Sequence, residues 1–300
     1  MIEIAKIATN LECREHGIWF RKNQSHISYP EDGHSRCLAI EDASFWFKHR
    51  NKCIIEVMHR FPPAGAVFDV GAGNGYVSSA IKNAGLPTVV IEPGLQGAMN
   101  AHRKGLNPVI CSTLEDAGFN PHLIPAVGLF DILEHIEDDI GFLTTTKTLL
   151  VPNGRLYITV PAYNFLRSVE DNYAGHYRRY TLKDLTKKLE STGFEIEFKT
   201  YIFGVLPFPM FFFRTIPSKL GLRKVSKFGR NRAEHVQPDS WLGRLVNLIL
   251  YIELIALRNN ITIPFGGSCL AIARSSNFKT KYDVNSQHEA FADNPQSNNM

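Results

Sequence analysis

Residues Gly175 to Thr181 read GHYRRYT, which puts an imidazole, two guanidiniums and two phenols into one short stretch. An imidazole takes or gives a proton near neutral pH, and neighbouring arginines can grip a phosphate or carboxylate through forked N–H donors. His176 is therefore a candidate base, and Arg178 and Arg179 a candidate anion clamp. The same residues allow a structural reading, in which Arg179 pairs with local carboxylates and Tyr180 packs ahead of a helix capped by Thr181 and Asp184. A second group, in FDILEHIED, places Asp131, Glu134 and His135 close together. A third, VFDVGAGNGYV, sets Gly71, Gly73 and Gly75 behind four β-prone residues. Glycines there let the backbone turn with positive φ and let a ligand approach the main chain. A phosphate cradle, a nucleoside pocket and a plain tight turn all fit that pattern.

The elements that must position these groups alternate along the chain. Strands are predicted at 66–70, 88–92, 108–111, 127–132 and 154–160, with two more in FEIEFKTYI and GSCLAIARS. Helices fit 75–84, 95–104 and 138–150, and another runs from Thr181 to Gly193. This alternation predicts an α/β fold, a doubly wound, mostly parallel sheet of seven strands. All three groups then follow strands, at the carboxyl ends where open α/β sheets bind ligands. No Lys-Ser/Thr follows the glycines, which excludes a Walker loop. Glu92 closes the second strand about 20 residues after the first, where a carboxylate can accept both hydroxyls of a ribose.

In this order the motifs resemble the class I S-adenosylmethionine-dependent methyltransferases, in a branch like the small-molecule and ubiquinone-biosynthesis enzymes. VFDVGAGNGY is similar to the glycine-rich first motif, VVIEPG to the acidic second, and STLEDAGF to the adenine-side third. GLFDILEHIED and LLVPNGRLYITVPA resemble the segments that follow, and the likeness spans about 60–200 plus the strand near 268–274. The resemblance implies a Rossmann-like fold with S-adenosyl-L-methionine as cofactor. Asp69, Gly71, Gly73 and Gly75 would border its methionine part, Glu92 would hold the ribose, and Thr113 and Leu114 would lie beside the adenine. Asp131 and Glu134 would shape the same pocket. Similar HYRRYT loops occur in methyltransferases linked to cell-surface polysaccharide synthesis, which favours a catalytic His176. One departure is Pro125-Ala126, where relatives often carry an acidic residue. The expected reaction is methyl transfer to a small-molecule or lipid-linked acceptor, a glycan among them, at oxygen. A non-catalytic S-adenosylmethionine-binding sensor or assembly protein needs the same pocket residues. A nicotinamide oxidoreductase fits the G-x-G-x-G spacing less well.

The 300 residues are 44% hydrophobic and 21% charged, as in a soluble globular protein, with a net charge of only +4. Five scattered cysteines, without a Cys-x-x-Cys pair, argue for a reducing compartment. The first residues lack the apolar run of a signal peptide, so a cytoplasmic protein is expected. No histidines stand at zinc-ligand spacing, and no metal is expected. Basic residues gather between Arg214 and Arg232 without an acidic one, which suggests a local anionic partner rather than nucleic acid. They lie between two apolar segments, around 201–213 and 241–258, the first of them too short to span a bilayer. A peripheral contact with the inner membrane face through 203–258 is the resulting expectation. The chain thus divides into an N-terminal extension and lid helix (1–60), a cofactor-binding core (61–202), a helical insertion (203–266), a closing strand (267–275) and a disordered tail (276–300). In the lid, which Asp42 would cap, Trp46 and His49 either lie near the site or pack inward.

Overall fold

The computed structural model describes residues 3–14, 17–22, 41, 44–222 and 241–276. Its strands are β1 (Leu11–Cys13), β2 (Ile18–Arg21), β3 (Val67–Val70), β4 (Thr88–Ile91), β5 (Val109–Cys111), β6 (Ile124–Phe130), β7 (Leu150–Pro161), β8 (Phe194–Ile202) and β9 (Ser268–Ser275). They form one sheet in the order β1-β2-β5-β4-β3-β6-β7-β9-β8. Pairing is parallel from β2 to β7 and antiparallel at β1 and on both sides of β9.

The α/β expectation holds, but the strand count rises from seven to nine among the described residues. The added pair, β1 and β2, lies in the N-terminal extension, where no strand is predicted because runs of three and four residues are too short to display alternation. β2 continues the parallel sheet beyond β5, with Ile18 opposite Val109. An ion pair of 2.8 Å from Arg21 to Asp116 ties it down.

The helices are α1 (Ile4–Ile7), α2 (Phe45–Arg60), α3 (Tyr76–Asn83), α4 (Leu95–Arg103), α5 (Asp139–Leu149), α6 (Val169–Ala174), α7 (Leu182–Ser191), α8 (Pro207–Met210), α9 (Ile216–Lys219) and α10 (Trp241–Arg258). Successive strand residues face opposite sides. Val67 of β3 packs with Ile54, Val77 and Leu254 of α2, α3 and α10. Phe68 and Val70 pack with Leu143 and Leu185 of α5 and α7. Helices therefore cover both faces, and the loops at the carboxyl ends of the strands remain to build a site.

Ser44 caps α2, accepting from the Phe47 N–H at 3.3 Å; the expected cap, Asp42, lies outside the described residues. The aromatic residues of this helix pack inward. Trp46 stacks on Phe203 with centroids 5.4 Å apart, and His49 is buried. In the insertion, α8, a π-type turn and α9 dock on the segment after β7: Thr215 Oγ1 donates to the Leu166 carbonyl at 3.0 Å, and Ser218 Oγ accepts from the Val169 N–H at 2.9 Å. α10 buries Leu250, Leu254 and Leu257 and exposes Leu245, Leu248, Ile252 and Ile255. Among the described residues, no helix is long and apolar enough to cross a membrane. The basic residues from Arg223 to Arg232 and the tail from 277 lie outside the described residues.

Candidate active site

The strand-to-helix turn after β3 needs its glycines. Gly71, Gly73 and Gly75 all have positive φ, and a Cβ at Gly71 would sit 2.3 Å from Ile132 Cδ1. Around Gly73 the space is open, with no atom within 4 Å of a built Cβ, so the main chain there can receive a ligand. The Gly73 N–H donates to Glu92 Oε2 and the Gly94 N–H to Glu92 Oε1, both at 2.7 Å. These bonds fix the carboxylate at the end of β4. Burial nonetheless pushes the Glu92 carboxyl up to about 7. Asp69, also buried, is pushed up to about 6 by desolvation, and it accepts from the Ser78 hydroxyl. Beyond β5, Thr113 Oγ1 accepts from the Asp116 N–H. Leu114 is 1% exposed within the core, so only its main chain can border an adenine.

After β6 the chain turns at Asp131, whose φ is +57. Its carboxylate accepts from Thr159 Oγ1 at 3.1 Å and pairs with Arg50 of α2. Glu134 is 1% exposed, and its Oε2 has no hydrogen-bond partner. Burial, reinforced by the nearby charge of Asp131, raises the Glu134 carboxyl well above its usual range. His135 is lowered to about 4, first by burial and then by His176. The two imidazoles meet edge to face with centroids 4.7 Å apart.

The GHYRRYT loop is organised around two carboxylates. His176 Nδ1 donates to Asp171 Oδ1 at 2.9 Å. Arg179 forks onto the same carboxylate, Nε to Oδ1 at 2.7 Å and Nη2 to Oδ2 at 3.1 Å, and also donates to the Ala162 carbonyl. Burial would raise Asp171, but the bond from His176 and the charge of Arg179 hold it well below the carboxylate range. Arg178 points elsewhere, to Asp139 at 2.9 Å and the Glu137 carbonyl. Tyr180 donates to Asp139, and Thr181 caps α7. The paired anion clamp expected of Arg178 and Arg179 is therefore corrected: the guanidiniums diverge, and Arg179, with its side chain 6% exposed, is sealed against Asp171. Arg178 retains a partly open face.

The description "Methyltransferase domain" belongs to a family whose model matches residues 46–198, which is half of the chain. The chain belongs to this methyltransferase family. A "Probable S-adenosylmethionine-dependent methyltransferase" of Mycolicibacterium smegmatis is 25% identical over 174 residues, 56% of this chain and 66% of that protein. The chain thus spans just under two thirds of that relative. A chain of the complex containing the Haloferax volcanii Trm112 methyltransferase activator is similar in fold, with TM-score 0.53 and 15% identity over 82% of this chain and 96% of its own. So is phosphoethanolamine N-methyltransferase 2 of Haemonchus contortus bound to S-adenosyl-L-methionine, with TM-score 0.51 and 16% identity over 86% and 62% of the two chains.

The cofactor of this methyltransferase domain is S-adenosylmethionine, and the residues present fit it. The open main chain at Gly73 and the fixed Glu92 carboxylate meet the needs of an amino acid and a ribose. Ser112, just past β5, adds a buried hydroxyl without a partner, a donor available to a base. The sequence does not single out Ser112, since serines before turns are common. Nor does it reveal Arg50, which reaches Asp131 from 81 residues away. A surface cavity bordered by Lys82, Leu86, Asn107 and Pro108 lies at the amino ends of β4 and β5, away from these groups.

Proposed function

We propose that this methyltransferase is an enzyme that methylates a hydroxyl of a lipid-linked acceptor, a glycan being one candidate, presented at a membrane surface. The observation that carries this reading is the docking of the apolar insertion onto the segment that holds His176. Leu166 and Val169, the partners of Thr215 and Ser218, stand just before Asp171, the anchor of the imidazole. The insertion exposes Phe208 and Phe213, at 62% and 73%, an apolar surface suited to a lipid tail.

When bound, S-adenosylmethionine supplies a methyl group on a sulfonium. Glu92 would hold the ribose, the Gly71–Gly75 turn with Asp69 behind it the amino-acid part, and Ser112 and Thr113 the adenine side. Asp131, locked by Arg50 and Thr159, and Glu134 would close the wall toward the acceptor. His176 activates the acceptor hydroxyl, oriented by Asp171. Arg178 meets the acceptor's anionic group, and Arg179 acts through Asp171 as a positioning residue. Alignment of this kind supplies about 7–11 kcal/mol, and proton removal about 10²–10⁴-fold more.

Incubating the protein with methyl-labelled S-adenosylmethionine and membrane lipid extracts tests the reading. Label should enter the lipid fraction, and His176→Ala should reduce its rate by about 10²–10⁴-fold with cofactor affinity retained. Cofactor binding without label in any lipid or polysaccharide fraction would overturn the lipid-linked acceptor.

A further inference from the structure

Glu134, His135 and His176 each present a ligand atom, and these atoms lie within 4.8 Å of one another. They come from the loops after β6 and β7, so their convergence is a product of the fold. We propose that these three residues bind a divalent first-row metal ion, so that His176 acts on the acceptor hydroxyl as a ligand of that ion and not as a free base. Two imidazoles and one carboxylate form a donor set suited to zinc, iron or cobalt rather than to magnesium, which prefers oxygen alone. Three protein ligands also leave a position open for a substrate oxygen, as in catalytic zinc sites.

Three observations point to an ion. Glu134 Oε2 is buried and has no hydrogen-bond partner, and a buried carboxylate oxygen left bare is costly. His176 is held from behind, its Nδ1 on Asp171 at 2.9 Å, which leaves Nε2 as the nitrogen it can offer. Ligating histidines characteristically carry such a carboxylate or carbonyl partner, which fixes the ring and raises its basicity. His135 packs edge to face on His176 with centroids 4.7 Å apart, which fixes where its ring stands. A tetrahedral ion with bonds of about 2.0–2.2 Å sets its ligand atoms about 3.3–3.6 Å apart, inside the 4.8 Å that bounds this trio. The other cluster of this type among the described residues, His49, Cys53 and Glu253, is already satisfied. Both oxygens of Glu253 accept main-chain N–H groups, from Phe203 at 2.7 Å and Gly204 at 2.9 Å.

Only the purpose of the ion rests on the acceptor-methylation reading. In that reaction the acceptor oxygen, polarised by the metal, gives its proton to solvent. Its electron pair forms the C–O bond, the C–S bond breaks, and the bonding electrons stay on sulfur, leaving S-adenosylhomocysteine.

The test uses the full chain, stripped with a chelator and titrated with Co²⁺, whose visible absorption reports coordination. We expect one ion per chain with a tetrahedral-type spectrum. His176→Ala and Glu134→Gln should each lower affinity at least tenfold, and His176→Ala should still bind S-adenosylmethionine, which shows that it is folded. Uptake that persists unchanged in His176→Ala overturns the proposal. So does a thiolate charge-transfer band that vanishes in Cys53→Ser, since the ion would then sit in the other cluster. Absence of uptake with normal S-adenosylmethionine binding overturns the metal site alone. Uptake at the site in a protein that fails to bind S-adenosylmethionine overturns the methylation reading and leaves the site standing.

Discussion

Glu92 carries a proton to a higher pH in the folded protein than an ordinary carboxyl does. Its two N–H donors favour ionisation, but burial outweighs them and sets the pKa at about 7. For an acid with a raised pKa, the folded state holds the extra proton between the ordinary value and 7. The stability linked to that proton is thus present at low pH and fades as pH rises through 7. Ribose hydroxyls donate best to the ionised carboxylate, so cofactor binding should expel the proton. Calorimetry in buffers of different ionisation enthalpy should show release approaching one proton at pH 6, falling toward zero at pH 8, with tighter binding at the higher pH. Glu92→Gln should abolish the release, and Glu92→Ala should weaken binding by about 1.5–3 kcal/mol. This residue was legible in the sequence because a strand end and a fixed distance from the glycines define it. Arg50 and Ser112 were not, because their importance lies in partners, or missing partners, that only the fold supplies. The proposed metal cluster was hidden for the same reason: His176 lies some forty residues from the adjacent Glu134 and His135, and the three match no ligand spacing.

At the scale of elements, the parallel strands and their helices were readable to within a few residues, since buried apolar runs bounded by Gly and Pro announce themselves. β7 begins earlier than its predicted 154, at Leu150, because the Pro152-Asn153-Gly154 turn is absorbed as an irregularity in its pairing with β6. The N-terminal hairpin escaped because its strands are short. The role of α10 escaped through Glu253, a lone acid on an apolar helix. That carboxylate joins three elements, accepting from His49 of α2 at 2.7 Å and from the Phe203 and Gly204 N–H groups after β8. Glu253→Ala would bury three donors without an acceptor. Chemical denaturation should register a loss of about 3–5 kcal/mol, with Glu253→Gln intermediate because its amide oxygen can still serve part of the network.

At the scale of the molecule, apolar side chains remain uncovered on two parts of the insertion, Phe208 to Leu222 and the outer side of α10. The sequence between them is rich in Lys and Arg. Next to an anionic leaflet each cation contributes about 1 kcal/mol, screened by salt, while apolar groups enter the interface. Co-sedimentation with vesicles containing anionic lipid should therefore be strong at low salt. It should weaken as salt rises and when Arg223, Lys224 and Lys227 are changed to Glu. Protein left in the supernatant at low salt would point to a soluble acceptor.

The position of β9 has a consequence for how the molecule is made. β9 lies between β7 and β8 and pairs with both, from Arg155↔Arg274 to Pro161↔Ser268 on one side and from Phe194↔Ser275 to Ile202↔Ser268 on the other. A growing chain therefore finishes β8, then the whole insertion, before the strand that joins β8 to the rest of the sheet exists. Throughout that interval the nascent protein holds an open edge on β7, an unpaired β8 and an apolar insertion together, the combination that invites wrong pairing. Synthesis of this chain carries its greatest hazard of aggregation just before its sheet closes. Contact of the insertion with a membrane during that interval would shelter the apolar segments while the final strand arrives.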